Sequence, residues 1–296
     1  MNKKHGHLAL FFANVIFGFN TPITRTIVPD ALSPYMMTFF RMAGAAILFW
    51  MVSPFVKKEH VPKRDILLFF FASLFAIVLN QTAFIVGLSK TSPIDASLVI
   101  TLLPIVTMLL SALILKEPIT WRKTIGVLIG ASGALILIVN SGSNNEGSSI
   151  IGNIIVLGSV TSFGLYLTFF RNLISRYSPF TAMKWMFLFA ALITLPMGFK
   201  WASVTPFHLF DLSIYLRIGY VVALSTFITY MLIPIGQKTL RPTTVSMYNY
   251  LQPVMASILT IIIGLDRFGL DKFVSAVLVF LGVYIVTTSR SKADLK

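Results

Sequence analysis

Residues 140–149, NSGSNNEGSS, form the only polar stretch of any length in this chain, and they contain no lysine or arginine. They divide the 296 residues almost in half. Long apolar runs lie on both sides, so the chain is 56% hydrophobic and only 11% charged, with a mean hydropathy of +0.84. A soluble domain usually carries about a quarter charged residues. The composition therefore excludes soluble and disordered proteins and predicts a protein embedded in a membrane.

The apolar runs are long enough to cross a bilayer as helices. A hydrocarbon core about 30 Å thick needs about 20 helical residues. The sequence predicts an all-α polytopic membrane protein with ten transmembrane helices. The predicted spans are 8–28, 34–56, 66–88, 92–115, 123–140, 150–173, 180–199, 212–235, 243–264 and 271–289.

The positive charge is distributed unevenly between the segments that join these spans. With the N-terminus placed inside, the inner segments hold 16 lysines and arginines and the outer segments hold 5. Cytoplasmic loops of membrane proteins carry such an excess. The bias explains the net charge of +14 without nucleic-acid binding. It predicts a multi-pass protein of the cell (inner) membrane with both termini in the cytoplasm.

The two halves share the positions of glycine and proline. A shift of 149 residues places Gly87 over Gly236 and Pro104 over Pro253 without a gap. Each half has five spans, and because five is odd, the second copy must enter the membrane inverted. We therefore divide the chain into a first repeat, an external linker, an inverted second repeat and a cytoplasmic tail. These are residues 1–140, 141–149, 150–289 and 290–296.

Motifs in both halves are similar to those of one known family. Span 1 contains FFANVIFGFN, which ends at Asn20, and span 2 contains FFRMAGAAILF, which includes Arg41. Span 4 contains ITLLPIVTMLLSALILKEPIT, and span 9 echoes it with YNYLQPVMASILTIIIGLDRF. With ten spans and a five-plus-five inverted repeat, the chain resembles the EamA family of the drug/metabolite transporter superfamily. The resemblance implies a central cavity lined by spans 1, 3, 4, 6, 8 and 9, and it suggests amino acids or related metabolites, often exported.

Polar side chains within these spans are the candidate binding groups, because such groups in hydrocarbon must face a cavity or another helix. For a single serine or threonine, helix packing is the alternative. Pro104 and Pro253 each remove a backbone hydrogen bond, so we expect a kink or a hinge at both. The predicted substrate-binding residues are Asn14, Thr21, Arg41, Asn80, Gln81, Ser97, Thr101, Tyr166, Thr229, Tyr230, Ser246, Asn249 and Tyr250.

Arg41 is the most notable charge in this set, because it lies seven residues into span 2. A rise of 1.5 Å per residue places it roughly 10 Å from the end of the helix. Two roles remain open for it. It binds an anion such as a carboxylate, or it caps carbonyls and pairs across helices to stabilise one conformation.

The acids and histidines lie away from the middle of the spans. None of the ten acids lies at the centre of a span, and none of the four histidines lies inside an apolar run. This distribution argues against proton coupling through a buried carboxylate and against metal or acid–base catalysis. The chain also has no cysteine, and we expect neither a metal nor a cofactor.

The predicted function is secondary transport of a small solute, with export favoured, by alternating access through a central cavity. The expected partners are a small-molecule solute and the lipid bilayer, and the chain is not expected to be an enzyme. The alternative is a membrane-embedded enzyme or a lipid-handling protein. A monomer and a homo-oligomer both remain open.

Overall fold

A computed structural model describes residues 3–28, 31–88, 90–91, 96, 99–140, 149–262 and 269–289. These residues form ten long helices and a short one, Arg171–Arg176, so the predicted all-α fold is confirmed. The long helices are α1 Lys3–Arg25, α2 Pro34–Val52, α3 Lys63–Leu88, α4 Leu103–Leu115, α5 Trp121–Asn140, α6 Ile150–Phe169, α7 Pro179–Ala202, α8 Leu212–Thr239, α9 Pro242–Ile262 and α10 Leu270–Thr287.

Five helical stretches in the described residues are long and apolar enough to cross a membrane by themselves. The outer surface of the bundle is correspondingly apolar, since Phe55 is 88% exposed and Leu113 is 77% exposed. Such side chains need a hydrocarbon solvent around the bundle. The five stretches are Pro34–Phe55, Lys63–Gly87, Ile150–Phe169, Pro179–Ala202 and Leu212–Thr239.

Toward the start of each half a slightly smaller shift, 145 residues, places Ser33-Pro34 over Ser178-Pro179. These Ser-Pro pairs start the second helix of each half. The hydroxyl of Ser33 accepts a hydrogen bond from the backbone N–H of Met36 at 3.1 Å. Ser178 does the same for the N–H of Thr181, also at 3.1 Å. Each serine satisfies a free N–H group at the helix N-terminus, and the following proline suits the first helical position. The same local signal therefore begins α2 and α7.

The helices of the two halves pack in matching pairs. A Cβ atom on Gly87 in α3 would lie 2.5 Å from the side chain of Val156 in α6. A Cβ atom on Gly236 in α8 would lie 2.5 Å from the side chain of Leu10 in α1. Gly87 and Gly236 are the residues that the shift of 149 superimposes. Each glycine thus admits a side chain from the first helix of the other half.

Helices α5 and α10 meet in a self-complementary contact built on glycine. A Cβ atom on Gly126 would lie 3.0 Å from the carbonyl oxygen of Gly282, and one on Gly133 would lie 2.8 Å from that of Ser275. The shift of 149 residues places Gly126 over Ser275 and Gly133 over Gly282, so it turns each contact into the other. A two-fold axis relates contacts in this way. Residue numbers rise along α5 while the contacted numbers fall along α10. The helices therefore run antiparallel, as inverted repeats require.

Two π-helical turns also occupy equivalent positions, Leu74–Leu79 in α3 and Ala223–Ile228 in α8. A π turn displaces carbonyl groups from the regular ladder, and such turns are frequent at functional sites. In α8 the hydroxyl of Thr226 donates to the carbonyl of Val221 at 2.8 Å. In α3 the carbonyl of Phe75 accepts from the hydroxyl of Ser162 on α6 at 2.7 Å. Both turns lie near the middle of their helices.

Candidate functional site

Two hydrogen bonds join residues that are each other's equivalents in the two halves. Gln81 Nε2 donates to the phenol oxygen of Tyr230 at 3.2 Å, and the hydroxyl of Tyr250 donates to the carbonyl of Thr101 at 2.9 Å. Both pairs are 149 residues apart. Equivalent residues that touch must lie close to the two-fold axis. The pseudo-two-fold axis therefore passes close to four of the predicted site residues.

Arg41 joins this central group from α2. Its Nε donates to the hydroxyl of Thr226 at 3.0 Å, and its Nη1 donates to Gln81 Oε1 at 3.2 Å. Among the described residues, the ion pairs within 4.0 Å involve other arginines and lysines, so Arg41 has only neutral partners here. The alignment that places Ser33-Pro34 over Ser178-Pro179 puts Met186 opposite Arg41. The first half therefore has a positive charge at this position, and the second half has none.

Aromatic rings form an apolar wall beside this charge. The ring of Tyr230 meets Phe17 and Phe187 edge to face, with centroids 6.1 Å and 5.0 Å apart. Phe187 stacks on Phe49 at 5.5 Å, and Phe49 lies 4.6 Å from Phe227. Edge-to-face and offset contacts are the favoured geometries of aromatic pairs. The centre therefore combines one cation, neutral hydrogen-bonding groups and an aromatic surface.

Two predicted asparagines hold helices together in this conformation. Asn14 Nδ2 donates to the carbonyl of Leu10 at 2.8 Å, and its Oδ1 accepts from Gln252 Nε2 at 2.9 Å. Asn80 Nδ2 donates to the carbonyl and the hydroxyl of Ser159 at 3.1 and 3.0 Å. These bonds link α1 to α9 and α3 to α6. Ser159 was not among the predicted residues, because nothing in its local sequence distinguishes it from other helical serines.

Tyr166 reveals a residue that the sequence analysis missed. Its hydroxyl donates to Gln237 Oε1 at 2.9 Å, and Gln237 is only 2% exposed. The Nε2 of Gln237 is buried without a hydrogen-bond partner, so the amide has unused donor capacity. The predicted span 8 ends at residue 235, whereas α8 continues to Thr239. The sequence therefore predicts a loop at Gln237, and the longer helix corrects this.

Of the remaining predicted residues, two form hydrogen bonds within their own helices, one is half-buried, and two have side chains that the structure does not describe. Thr229 donates to the carbonyl of Leu224 at 3.0 Å, and Ser246 donates to the carbonyl of Thr243 at 2.9 Å. Asn249 is half-buried in the 3-10 turn of α9. Ser97 lies outside the described residues, and so does the side chain of Thr21.

Both candidate hinge prolines follow an interruption of their helix. Pro104 is the second residue of α4 and comes after a turn at residues 101–102. Pro253 lies in α9 just after the 3-10 turn Tyr248–Tyr250. Proline has no backbone N–H to donate to the preceding turn, so it fits a position where the regular helix is already interrupted. Movement at these interruptions stays a prediction.

Ion pairs to the buried Glu117 lie at one end of the bundle, where α1 begins. Glu117 accepts from Lys123 Nζ at 3.3 Å and from Arg171 Nη1 at 3.4 Å. Lys123 is 1% exposed and Glu117 is 8% exposed. The bond to Arg171 joins the first half to the second. We call this end, with Lys57, Lys63, Lys123, Arg171 and Arg176, the basic end.

Two further carboxylates at the basic end also reach the second half. Asp65 accepts from Arg176 at 3.3 Å and from the hydroxyl of Tyr177. Burial and the bond to Asp65 raise the pKa of Tyr177 to about 12. Glu59 accepts from the N–H and hydroxyl of Ser178 at 2.9–3.1 Å. Burial works to raise the pKa of Glu59, but hydrogen bonding to Thr181 and Ser178 outweighs it and holds the pKa below its ordinary value.

The EamA-like transporter family matches residues 4–139 and again residues 150–288 of this sequence. The chain belongs to the EamA-like transporter family. It is therefore a membrane-embedded transporter of small solutes, since that is what the family does. The resemblance noted in the sequence is confirmed. Within the described residues, no group of three or more His, Asp or Glu could hold a metal ion.

Several relatives of this EamA-like transporter share most of its length. An uncharacterized transporter of Archaeoglobus fulgidus is 28% identical over 88% of this chain and 90% of its own. A WAT1-related protein of Arabidopsis thaliana is 21% identical over 96% and 84%. The uncharacterized transporter YyaM of Bacillus subtilis is 21% identical over 82% and 80%. A solved crystal structure, 18% identical, matches with a TM-score of 0.78 over 97% of this chain and 98% of its own, which supports the fold.

Proposed function

We propose that this EamA-like transporter exports a small solute with a carboxylate group, such as an amino acid, by alternating access. The observation that carries the proposal is Arg41, a cation with neutral partners at the pseudo-two-fold axis. A guanidinium presents a planar fork of donors that matches a carboxylate in two parallel hydrogen bonds. A bound carboxylate would replace the neutral oxygens of Thr226 and Gln81 with charged ones. The neighbouring aromatic wall suits the apolar part of such a solute.

The position of Arg41 also suits transport between two sides. Inverted-repeat transporters hold their solute at the repeat interface and expose it in turn to each side. The contact between Gln81 and Tyr230 lies on that interface. The proposed binding set keeps Asn14, Thr21, Arg41, Asn80, Gln81, Ser97, Thr101, Tyr166, Thr229, Tyr230, Ser246, Asn249 and Tyr250.

The charge distribution supports the proposed orientation. The basic end carries most of the lysines and arginines between helices, which favours the cytoplasmic side of the inner membrane for this end and for both termini. Glu117 and Asp65 join the first half to the second at the basic end. On this proposal, the present conformation is closed to the cytoplasm, and loading the solute requires these bonds to break.

Counterflow of labelled amino acids into proteoliposomes tests the proposal. Replacing Arg41 with alanine removes a charged hydrogen-bond donor, and we expect saturable uptake to fall at least about tenfold. Lysine at this position keeps the charge without the fork, so Arg41→Lys should retain part of the uptake. The exposed Arg64→Gln is the control and should behave like wild type.

The solute itself provides a second arm of this experiment. An amino acid amide lacks the carboxylate, so wild-type protein should not exchange it for a labelled amino acid. Unchanged counterflow in a folded Arg41→Ala variant would show that the carboxylate does not bind there. Equal exchange of the amide would show that the solute does not need a carboxylate at all.

A further inference from the structure

A small basic pocket lies at the basic end, between the end of α2 and the start of α7. Its volume is about 250 Å³, and Trp50, Lys57, Lys58 and Lys184 contribute to its lining. Glu59 is the acid of the lining, and its carboxylate already accepts bonds from Ser178. The three lysines therefore leave a net positive charge in the pocket.

Lys184 is held in position by neutral groups. Its Nζ donates to the hydroxyl of Ser53 at 3.1 Å. The ammonium also lies 4.9 Å from the ring centroid of Trp50 and 5.8 Å from that of Trp185. The ion pairs within 4.0 Å among the described residues are formed by other lysines and arginines. Lys184 therefore has no carboxylate within that distance in this part of the chain. The ammonium is thus oriented and has charge available for an anion.

The symmetry of the fold shows that packing does not require this charge. The alignment of Ser33-Pro34 with Ser178-Pro179 makes Phe39 the counterpart of Lys184. At the other end of the bundle, Phe39 packs on Gly198, where an added Cβ would lie 2.6 Å from its ring. The same alignment places Ala202 and Ser203 opposite Lys57 and Lys58. The equivalent helix ends at the other end of the bundle therefore pack together without any of these three lysines.

An exposed apolar stripe on α2 adjoins the pocket. Ile47 and Met51 are 59% and 65% exposed and stand four residues apart, so they share a face of the helix. Trp50, which lines the pocket, is next to Met51 on that face and packs edge to face on Trp185 at 5.8 Å. Tryptophan is enriched at the level of lipid headgroups. The pocket therefore lies where a headgroup meets its acyl chain.

We propose that this pocket binds the headgroup phosphate of an anionic phospholipid, with one acyl chain along Ile47 and Met51. Basic pockets between transmembrane helices bind anionic lipid headgroups. Lys184 lies on α7 and Lys57 and Lys58 follow α2, so the phosphate bridges the two halves. The lipid would join the bonds from Glu59 and Asp65 in holding the basic end closed.

Native mass spectrometry of the full-length, delipidated protein in detergent tests this binding. Phosphatidylglycerol should bind more tightly than phosphatidylcholine with the same acyl chains. Each lysine near an anionic lipid contributes about fivefold in affinity, so Lys184→Gln should weaken phosphatidylglycerol binding about fivefold. Lys57→Gln with Lys58→Gln, both at exposed positions, should weaken it further. Lys63→Gln, at the same end but outside the pocket, is the matched control.

Three results would overturn the proposal. They are equal affinity for the two lipids, unchanged binding in the Lys184 and Lys57/Lys58 variants, and an equal loss in the Lys63 control. Millimolar inorganic phosphate should not displace the lipid, and displacement would identify free phosphate as the ligand instead. The melting temperature of each variant without lipid shows whether it is folded. Because Lys57 and Lys58 are exposed, their variant should fold normally even if Lys184→Gln does not.

Discussion

Replacing Gly282 with alanine is expected to destabilise the protein strongly, although the change adds only one methyl group. The new Cβ would lie 2.6 Å from the backbone nitrogen of Gly130 and 2.7 Å from the carbonyl oxygen of Gly126. Both neighbours are backbone atoms, so α5 and α10 would have to separate. Overpacking of this kind costs roughly 1–3 kcal/mol, and leucine should cost more. The fall in melting temperature of the purified protein in detergent measures the effect.

The same substitution at Gly219 provides a matched control. A Cβ atom there would meet nothing within 4 Å, and the residue lies within α8. Alanine is a better helix former than glycine by about 1 kcal/mol, so Gly219→Ala should leave the melting temperature unchanged or raise it. If both variants melt at the same temperature, close contact between α5 and α10 does not stabilise the fold.

Replacing Glu117 with glutamine should have a comparable or larger effect at the basic end. The substitution leaves Lys123, which is 1% exposed, without its carboxylate. Removing one partner of a buried ion pair costs roughly 3–5 kcal/mol, because the other charge stays buried and unpaired. We expect a large fall in melting temperature, measured in the same detergent.

A double variant separates this cause from a general loss of packing. In Glu117→Gln with Lys123→Met, the buried charge is removed as well, so much of the lost stability should return. Glu59→Gln changes an exposed carboxylate at the same end and should cost about 1 kcal/mol or less. Additive effects of Glu117→Gln and Lys123→Met would show that the two charges do not depend on each other.

Much of the fold follows from the sequence because bilayer thickness imposes helix length. The predicted helices are present, except that span 4, predicted as one helix over 92–115, is a continuous helix only over Leu103–Leu115 among the described residues. The equivalence of Gly87 with Gly236 reappears as matching contacts with Val156 and Leu10. The ends are less predictable. Helix α1 begins at Lys3 rather than Leu8, because a lysine at a helix end can extend its ammonium into water. The π-helical turns leave no mark in hydropathy, since they rearrange backbone bonds without changing composition.

The site is harder to derive, because a repeat shows which residues are equivalent but not which of them touch. The sequence marks Gln81 and Tyr230 as polar, yet only the tertiary fold brings the ends of their side chains within 3.2 Å of each other. Thr226 and Gln237 became visible as partners of Arg41 and Tyr166 only through tertiary contacts. Long-range hydrogen bonds of this kind have no local sequence signal.

The hydrogen bond between Gln81 and Tyr230 has a consequence for how the molecule could move. If the two halves exchange conformations during transport, each contact between them is replaced by the contact between the equivalent residues at the opposite end of the bundle. A contact between equivalent residues is its own mate, so the exchange does not require it to break. Gln81 and Tyr230 would then act as a fulcrum, stationary while Glu117 and Arg171 at the rim separate and rejoin.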